Sequence, residues 1–368
     1  MKTVFILGAG ASVESGAPLM ADFLQRAKQL HGANAYGPAA AQVQDVLNAA
    51  YKDLRPIHAK STIDYENVEE LFSAIDIAQL IRRFGSRPSD TIDELRKSIV
   101  VFIYRTIEET VRIPFDGITY RATKGYDDLA RHVWENVNRT AQIGLKEVSF
   151  ITFNYDTCLE LALERQGLGV DYGLSEPFIM DDFANKSQVK IPVLKLHGSI
   201  NWATCSKCKT VIPTEVNPWG RKRPFPVIDQ GRALALPLGT RIAGQSHVCG
   251  TPLDPLPLLV PPTWTKSSST GGLRDVWKRA AMEIGSAENI VVIGYSFPIT
   301  DMFFKYLFAL GSDSDTHLEK FIVVNGPQGE STRDKFEDLL GPMSSRGFAF
   351  YPFVFSGAGH IIKDVLGV

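Results

Sequence analysis

Hydrophobic positions fall in two alternating patterns along the chain. Residues 4–7 are an unbroken apolar run, Val-Phe-Ile-Leu, that passes directly into Gly8-Ala9-Gly10-Ala11-Ser12. So short a run without polar alternation predicts a strand buried on both faces, as in a parallel sheet. The pattern returns at 148–153 (V-S-F-I-T-F), 191–196, 289–293 and 321–324. These runs lead into Asn154-Tyr155-Asp156, His197-Gly198-Ser199, Gly294-Tyr295-Ser296 and Asn325-Gly326. Five strands ending in small or polar residues predict one crevice at the carboxyl edge of an open sheet, where such folds bind ligands.

Between the first run and the second the spacing changes to three and four residues. Segments 19–30, 38–54, 65–84, 91–111 and 126–143 are separated by Gly, Pro and Ser clusters and read as helices. Val68, Leu71, Phe72, Ile75 and Ala78 fall largely on one helical face, with Gln79 and Arg82 beyond them. The expected architecture is an α/β, doubly wound, Rossmann-like parallel sheet in one domain over 1–368. A mostly helical insertion covers 19–144, and a small Pro- and Gly-rich lobe covers 204–262. The core comprises 1–18, 145–203 and 263–368. The insertion is expected to roof the crevice and to carry homo-oligomer contacts, with a purely structural role as the equal alternative.

With 368 residues, of which 44% are hydrophobic, the chain can bury a large core. A net charge of -2 with interleaved signs argues against a basic face for nucleic acid or for an anionic membrane surface. No apolar run approaches the roughly 20 residues that span a bilayer, and no signal-peptide pattern precedes the first glycine turn, so a cytoplasmic protein is expected. Four cysteines, Cys158, Cys205, Cys208 and Cys249, are too few for a disulfide framework. Cys205 and Cys208 form a C-x-x-C pair. His247 and Cys249 could complete a four-ligand structural zinc site, although H-x-C is a tight spacing and a metal-free remnant is the equal alternative. Cys158 reads as a small buried apolar residue.

A strand, a glycine turn and a helix start are the parts of a dinucleotide site: glycines admit the pyrophosphate and free N–H groups favour its charge. Here Gly8 and Gly10 fit a G-x-G-x-x-G fingerprint, but Val13 occupies the third glycine position and Gly16 comes three residues late. Asn154 can donate and accept hydrogen bonds, and His197 can exchange a proton near neutral pH, its ordinary pKa being roughly 6.5. Asp156 could offset a cationic ring. The bland alternatives are that Asn154 or Asp156 caps the helix beginning near residue 157, and that His197 is a structural hydrogen-bonder. Ser12 is a weak nucleophile candidate. Tyr295, and with less support Phe297, Trp202 and Trp264, could line the pocket. His31, His58, His132, His317 and His360 read as surface or capping residues.

The set G-A-G-A-S-x-x-S-G-A-P (8–18), T-F-N-Y-D (152–156), L-H-G-S (196–199), C-x-x-C (205–208) and the late G-Y-S and V-N elements resembles the sirtuin family. The resemblance implies NAD as substrate, bound in a doubly wound fold with a small zinc lobe, and cleavage of the nicotinamide–ribose bond. It puts Gly8, Ala9, Gly10, Ala11 and Ser12 around the cofactor's pyrophosphate, with Gly16 a further cofactor-binding candidate, and Asn154 and Asp156 beside nicotinamide and its ribose. His197 falls on the catalytic histidine, and Gly294, Ser296 and Asn325 fall on the segments that hold the adenosine half, with Tyr295 a candidate for lining the adenine or nicotinamide pocket.

The departures are informative. Ala17-Pro18-Leu19-Met20-Ala21-Asp22-Phe23 lacks the arginine of a deacylase's Asp-Phe-Arg, Phe153 stands where glutamine is usual, and no stretch matches the one that pairs with an acyl-lysine peptide. In these respects the chain is more similar to bacterial sirtuin-like NAD hydrolases of anti-phage defence, some of which assemble with a HerA-type ATPase. The expected function is therefore an NAD glycohydrolase effector, latent without a partner. The alternatives are a protein deacylase or ADP-ribosyl transferase, or a non-catalytic nucleotide-sensing subunit of an ATPase or nuclease complex.

Overall fold

The computed structural model describes residues 1–54, 63–115, 120–140, 147–174, 189–216, 228–229, 233–261, 273–298, 302–312, 316–327, 330–341 and 347–368. Its centre is a seven-stranded parallel sheet of β1 (Lys2–Leu7), β2 (Glu147–Thr152), β3 (Gly169–Asp171), β4 (Lys190–Lys195), β5 (Asn289–Ile293), β6 (Lys320–Val324) and β7 (Phe348–Tyr351). The spatial order is β7-β6-β5-β1-β2-β4-β3. The chain runs from β1 to β2, skips to β3 at the edge and returns to β4 between them, then crosses back to β5 and winds outward through β6 and β7. That reversal beside β1 is the topological switch point of a Rossmann-like α/β fold, where the crevice outside the strand ends opens. Val4 to Leu7 and every residue of β5 are buried, because covered strands of this kind need apolar side chains on both faces.

The insertion is helical as expected: α1 (Phe23–Gly32), α2 (Ala40–Asn48), α3 (Val68–Ile81), α4 (Ile92–Thr110) and α5 (Lys124–Thr140). Helices α1, α2 and α3 pack against one another or against α4. Asn67 caps α3 by accepting the Glu69 N–H at 2.9 Å, with Glu69 and Glu70 in the first turn where the helix dipole favours acids. Helix α5 packs on α6 (Cys158–Arg165) and on α10 (Gly359–Leu366), while α7 (Arg274–Gly285) packs on α8 (Met302–Gly311) and on β4; α9 (Glu330–Glu337) follows β6.

Two expectations change. The first helix begins at Phe23, not near residue 18, because residues Ala9–Ser15 take a 3-10 coil that Gly16 ends in the left-handed region (φ 91°). The two short strands β3 and β7 also join the sheet at its two edges.

Within the small lobe, Trp202–Thr204 and Val211–Pro213 form an antiparallel pair. A separate apolar cluster of Ala203, Cys205, Ile212, Ile242 and Leu253 supports it. The lobe is tied to the insertion by Glu108 of α4, whose buried carboxylate accepts from Thr240 N at 2.9 Å, Thr240 Oγ1 at 2.7 Å and Arg105 Nη1 at 2.6 Å. Burial nevertheless holds the Glu108 carboxyl above its ordinary pKa. No described helix is long and apolar enough to cross a membrane.

Candidate functional site

A cavity of about 730 Å³ opens at the carboxyl ends of β1, β2 and β5, at the switch point. Its size lies within the range of small-molecule and cofactor sites. Of the sequence-predicted residues, Ala9, Gly10, Ser12, Asn154, Asp156, His197, Gly294, Tyr295, Ser296 and Asn325 line it. Gly8 and Ala11 lie behind the lining. Gly16 sits away from the cavity, against the end of α4, where an added Cβ would stand 2.4 Å from Thr110 O. Phe297 and Trp202 do not line the cavity, and Trp264 lies outside the described residues.

The glycines of this turn also make a contact that the sequence does not announce. Gly8 N donates to Ile293 O at 3.0 Å and Gly10 N to Gly294 O at 2.8 Å, so both N–H groups are spent on the neighbouring strand's turn. A Cβ on Gly8 would meet Gly294 O at 2.6 Å. A Cβ on Gly294, whose φ is +62°, would meet Ala11 N at 2.2 Å. The glycines after β1 and β5 therefore let two turns interlock. That close approach forms the floor between the two halves of the sheet.

Past β2 the chain turns its polar residues back toward this floor. Thr152 Oγ1 donates to Leu7 O at 3.1 Å and accepts from Asn154 N at the same distance, fixing the turn. Asn154 Nδ2 then donates to Gly8 O at 2.8 Å and to Ser12 Oγ at 3.1 Å. Helix capping is therefore not Asn154's role. Asp156 does take that role in part, accepting the Cys158 N–H at 3.0 Å where α6 begins. Beneath the loop, Lys195 Nζ bonds the Asp156 carbonyl and pairs with Glu160 Oε1 at 2.8 Å; both side chains are 1% exposed.

His197, 3% exposed, follows β4. Its carbonyl accepts Val260 N–H at 2.9 Å. Its ring lies edge-on to Phe153 at 5.2 Å and tilted to Tyr155 at 6.1 Å. Gly198 turns the chain beside it with φ +81°, and an added Cβ there would lie 2.1 Å from Leu258 O. Phe153 stacks face to face on Tyr295, with ring centroids 4.4 Å apart and planes 5° apart. Phe304 meets both rings edge-on.

Sequence reasoning missed several lining residues. Leu19, Met20, Asn67, Glu69 and Ile107 come from the insertion, Thr332 and Lys335 from α9, and Phe353 to Phe355 from the segment after β7. The insertion therefore contributes to the cavity wall. None of these positions carries a local motif; only the fold brings them together. His132, expected at the surface or in a cap, is instead buried and pairs with Glu135 at 3.0 Å. Cys158 is buried as expected, and burial raises its thiol pKa well above the usual value.

In the small lobe the ligand atoms of Cys205, Cys208, His247 and Cys249 all lie within 4.8 Å of one another. Cys205 Sγ and Cys249 Sγ are 3.7 Å apart, close to the roughly 3.8 Å edge of a tetrahedron with zinc–sulfur bonds of about 2.3 Å. The tight H-x-C spacing works because the chain reverses at Gly250 (φ +79°), with Gly250 N donating to His247 O at 2.9 Å. Donors on Thr251 and His247 pull the Cys249 thiol down to about 6, while hydrogen bonding to Cys249 and Cys205 pushes Cys208 up to about 11. Three sulfurs and an imidazole at these distances fit a structural zinc.

Residues 148–217 match the family model described as a SIR2-like domain. That stretch contains Asn154, Asp156, His197, Cys205 and Cys208 and spans a minor part of the chain. No curated protein matches the chain. Among solved structures, it is similar to Sir2Tm bound to a propionylated peptide, at 16% identity over 99% of this chain and 93% of that one, with a TM-score of 0.38. A Sir2–p53 peptide–NAD+ structure is 16% identical over 99% and 93%, with a TM-score of 0.37. A Sir2 complex with an inhibitor, 2′-O-acetyl-ADP-ribose and a deacetylated p53 peptide is 14% identical over 99% and 94%, with a TM-score of 0.39. At these values the functional reading rests on the domain match and on the geometry of the site.

Proposed function

We propose that the protein is a sirtuin-like NAD glycohydrolase, cleaving NAD to nicotinamide and ADP-ribose. The observation that carries this reading is the convergence of Asn154, Asp156 and His197 in one cavity at the switch point. The Phe153–Tyr295 stack in the same cavity favours hydrolysis over deacylation, because an apolar ring pair occupies the place where the resemblance expects a polar glutamine.

In this reaction the C1′–N bond breaks with its electron pair passing to nicotinamide, which leaves neutral, and the ribose becomes oxocarbenium-like. Water oxygen adds to C1′, and the proton it loses passes to His197. Asn154 holds a ribose hydroxyl or the attacking water, and the Asp156 carboxylate stabilises the positive charge. The adenosine half runs along Gly294, Tyr295, Ser296 and Asn325. Zinc, where bound by Cys205, Cys208, His247 and Cys249, supplies rigidity to the small lobe and no step of the reaction. The same reading treats residues 1–368 as one catalytic unit with its insertion over 19–144 and its lobe over 204–262.

The motif set's similarity to the defence branch supports a wider role as an oligomeric anti-phage effector, triggered by a partner such as a HerA-type ATPase. The test is chromatography of NAD incubated with the purified chain, alone and with its candidate trigger. Nicotinamide and ADP-ribose should appear in equal amounts. Asn154→Ala and His197→Ala should each lower the rate at least about 100-fold, the scale of losing one preorganised polar group. Binding without turnover in the complete assembly would favour the sensing reading. An acyl-group product formed only with an acyl-lysine peptide would favour a deacylase.

A further inference from the structure

The helical insertion reaches the turn that carries Asn154 through a buried tyrosine. Tyr126 of α5 is 1% exposed, and its hydroxyl lies 2.8 Å from Ser12 Oγ, although 114 positions separate them. Ser12 Oγ is also the second acceptor for Asn154 Nδ2, whose first is the carbonyl of Gly8. A backbone carbonyl can only accept, so the Gly8 contact fixes the Asn154 carboxamide with its nitrogen inward. Both amide protons are then committed to Gly8 and Ser12. Asn154 borders the cavity, and Oδ1 is the atom it has left for a ligand.

The direction of the Ser12–Tyr126 bond follows from the surroundings. One hydroxyl proton of the pair is left over whichever group donates. Ser12, although itself fully buried, lines the cavity wall and Tyr126 does not, so donation by Tyr126 leaves that proton on the cavity side. Donation by Ser12 would leave the phenolic proton beside only the Asn154 side chain, which turns its N–H groups inward and offers no acceptor there, at a cost of about 1–3 kcal/mol. Burial, joined by the Asp156 charge, raises the Tyr126 pKa well above its usual value, so the phenol keeps the proton it donates.

We propose that Tyr126 is a positioning residue. By donating to Ser12 Oγ, it holds Ser12 as the acceptor for Asn154 Nδ2 and so turns Asn154 Oδ1 toward the cavity, where the site meets a ligand hydroxyl with an acceptor. The identity of that hydroxyl, on ribose or on attacking water, rests on the NAD reading above; the orientation of the carboxamide does not.

The test separates the two. With the full-length chain labelled with 15N-asparagine, the Asn154 side-chain amide is assigned by its absence from Asn154→Ala. Both protons should exchange slowly in the wild type. In Tyr126→Phe, which keeps the ring and its packing on Phe355, the Ser12-facing proton should shift and lose at least about tenfold in protection, while the Gly8-facing proton stays protected. An unchanged Asn154 amide in Tyr126→Phe would overturn the proposal, whatever NAD does.

Kinetics supply the second arm. Tyr126→Phe should lower kcat for NAD about tenfold with KM nearly constant, and should add no further loss in a Ser12→Ala background. Equal losses in both backgrounds would overturn the relay through Ser12. If the amide responds as described and the wild type, with its trigger, cleaves no NAD, the function reading falls and the orientation stands.

Discussion

Substituting Lys195 isolates the buried ion pair beneath the Asp156 loop. Lys195 and Glu160 are each 1% exposed and 2.8 Å apart, and Lys195 also donates to the Asp156 carbonyl. Lys195→Met keeps the aliphatic stem and removes the charge, which strands the Glu160 carboxylate in the core with, among the described residues, only the Tyr172 hydroxyl at 3.1 Å. Breaking one side of such a pair costs about 3–5 kcal/mol, and the lost bond to Asp156 about 1 more. A loss of about 4 kcal/mol is close to a 1000-fold change in the ratio of folded to unfolded chain. It is also a large share of the 5–15 kcal/mol that typically holds a protein folded.

Urea unfolding followed by far-UV circular dichroism measures this, with Lys195→Met compared against Lys195→Met/Glu160→Leu. The double variant has no stranded charge and should recover about half of the loss; it keeps the unpaired Asp156 carbonyl and the Tyr172 hydroxyl. A loss below about 1 kcal/mol in the single variant, the scale of a solvated surface pair, would refute the argument. So would a double variant no more stable than the single.

Three further outcomes follow from the same structure. Zinc should copurify at one per chain and be lost from Cys249→Ser, with the chelated wild type melting earlier; a zinc-free protein from zinc-supplemented expression would refute the site. Glu108 has a raised carboxyl pKa, above the ordinary 4.5, so its folded form holds the proton more tightly than the unfolded chain. Wild-type stability should therefore fall relative to Glu108→Gln as pH rises above 4.5 through the folded pKa, so the variant's deficit shrinks between pH 4 and 8; a deficit that grows would mean Arg105 and Thr240 outweigh burial. Gly294→Ala should separate the interlocked turns and abolish NAD turnover, whereas Gly32→Ala, with nothing within 4 Å of its added Cβ, should leave turnover unchanged.

Burial on both faces explains which strands were legible in the sequence. Val4 to Leu7 and Ile290 to Ile293 are covered above and below, so nothing polar interrupts the apolar run. The two edge strands escaped for separate reasons. Gly169–Asp171 is three residues long, and Phe348–Tyr351 is half-exposed throughout. Helices α1 to α5 showed through their spacing, but the start of α1 did not. Gly16 and its approach to Thr110 O end the 3-10 coil, and that neighbour lies far away in sequence.

The candidate site divides along the same physical line. Asn154, Asp156 and His197 each follow directly on a strand, so local pattern locates them, and all three fall within residues 148–217 of the SIR2-like match. What decides the orientation of Asn154 lies outside that stretch. Gly8 and Ser12 come from the first turn, Tyr126 from the insertion, and Tyr295 from the turn after β5.

The glycine turn illustrates the consequence. Read alone, Gly8 and Gly10 suggest backbone clearance for a pyrophosphate. In the fold their N–H groups are already bonded to Ile293 and Gly294, and the clearance admits another turn of the same chain. A local motif can specify the kind of contact a backbone makes while leaving its partner open. The matched stretch therefore supplies the candidate reacting groups, and residues outside it fix the Asn154 carboxamide. Variants that change selectivity without removing chemistry should accordingly concentrate at Glu69, Tyr295 and Lys335, which line the cavity outside residues 148–217.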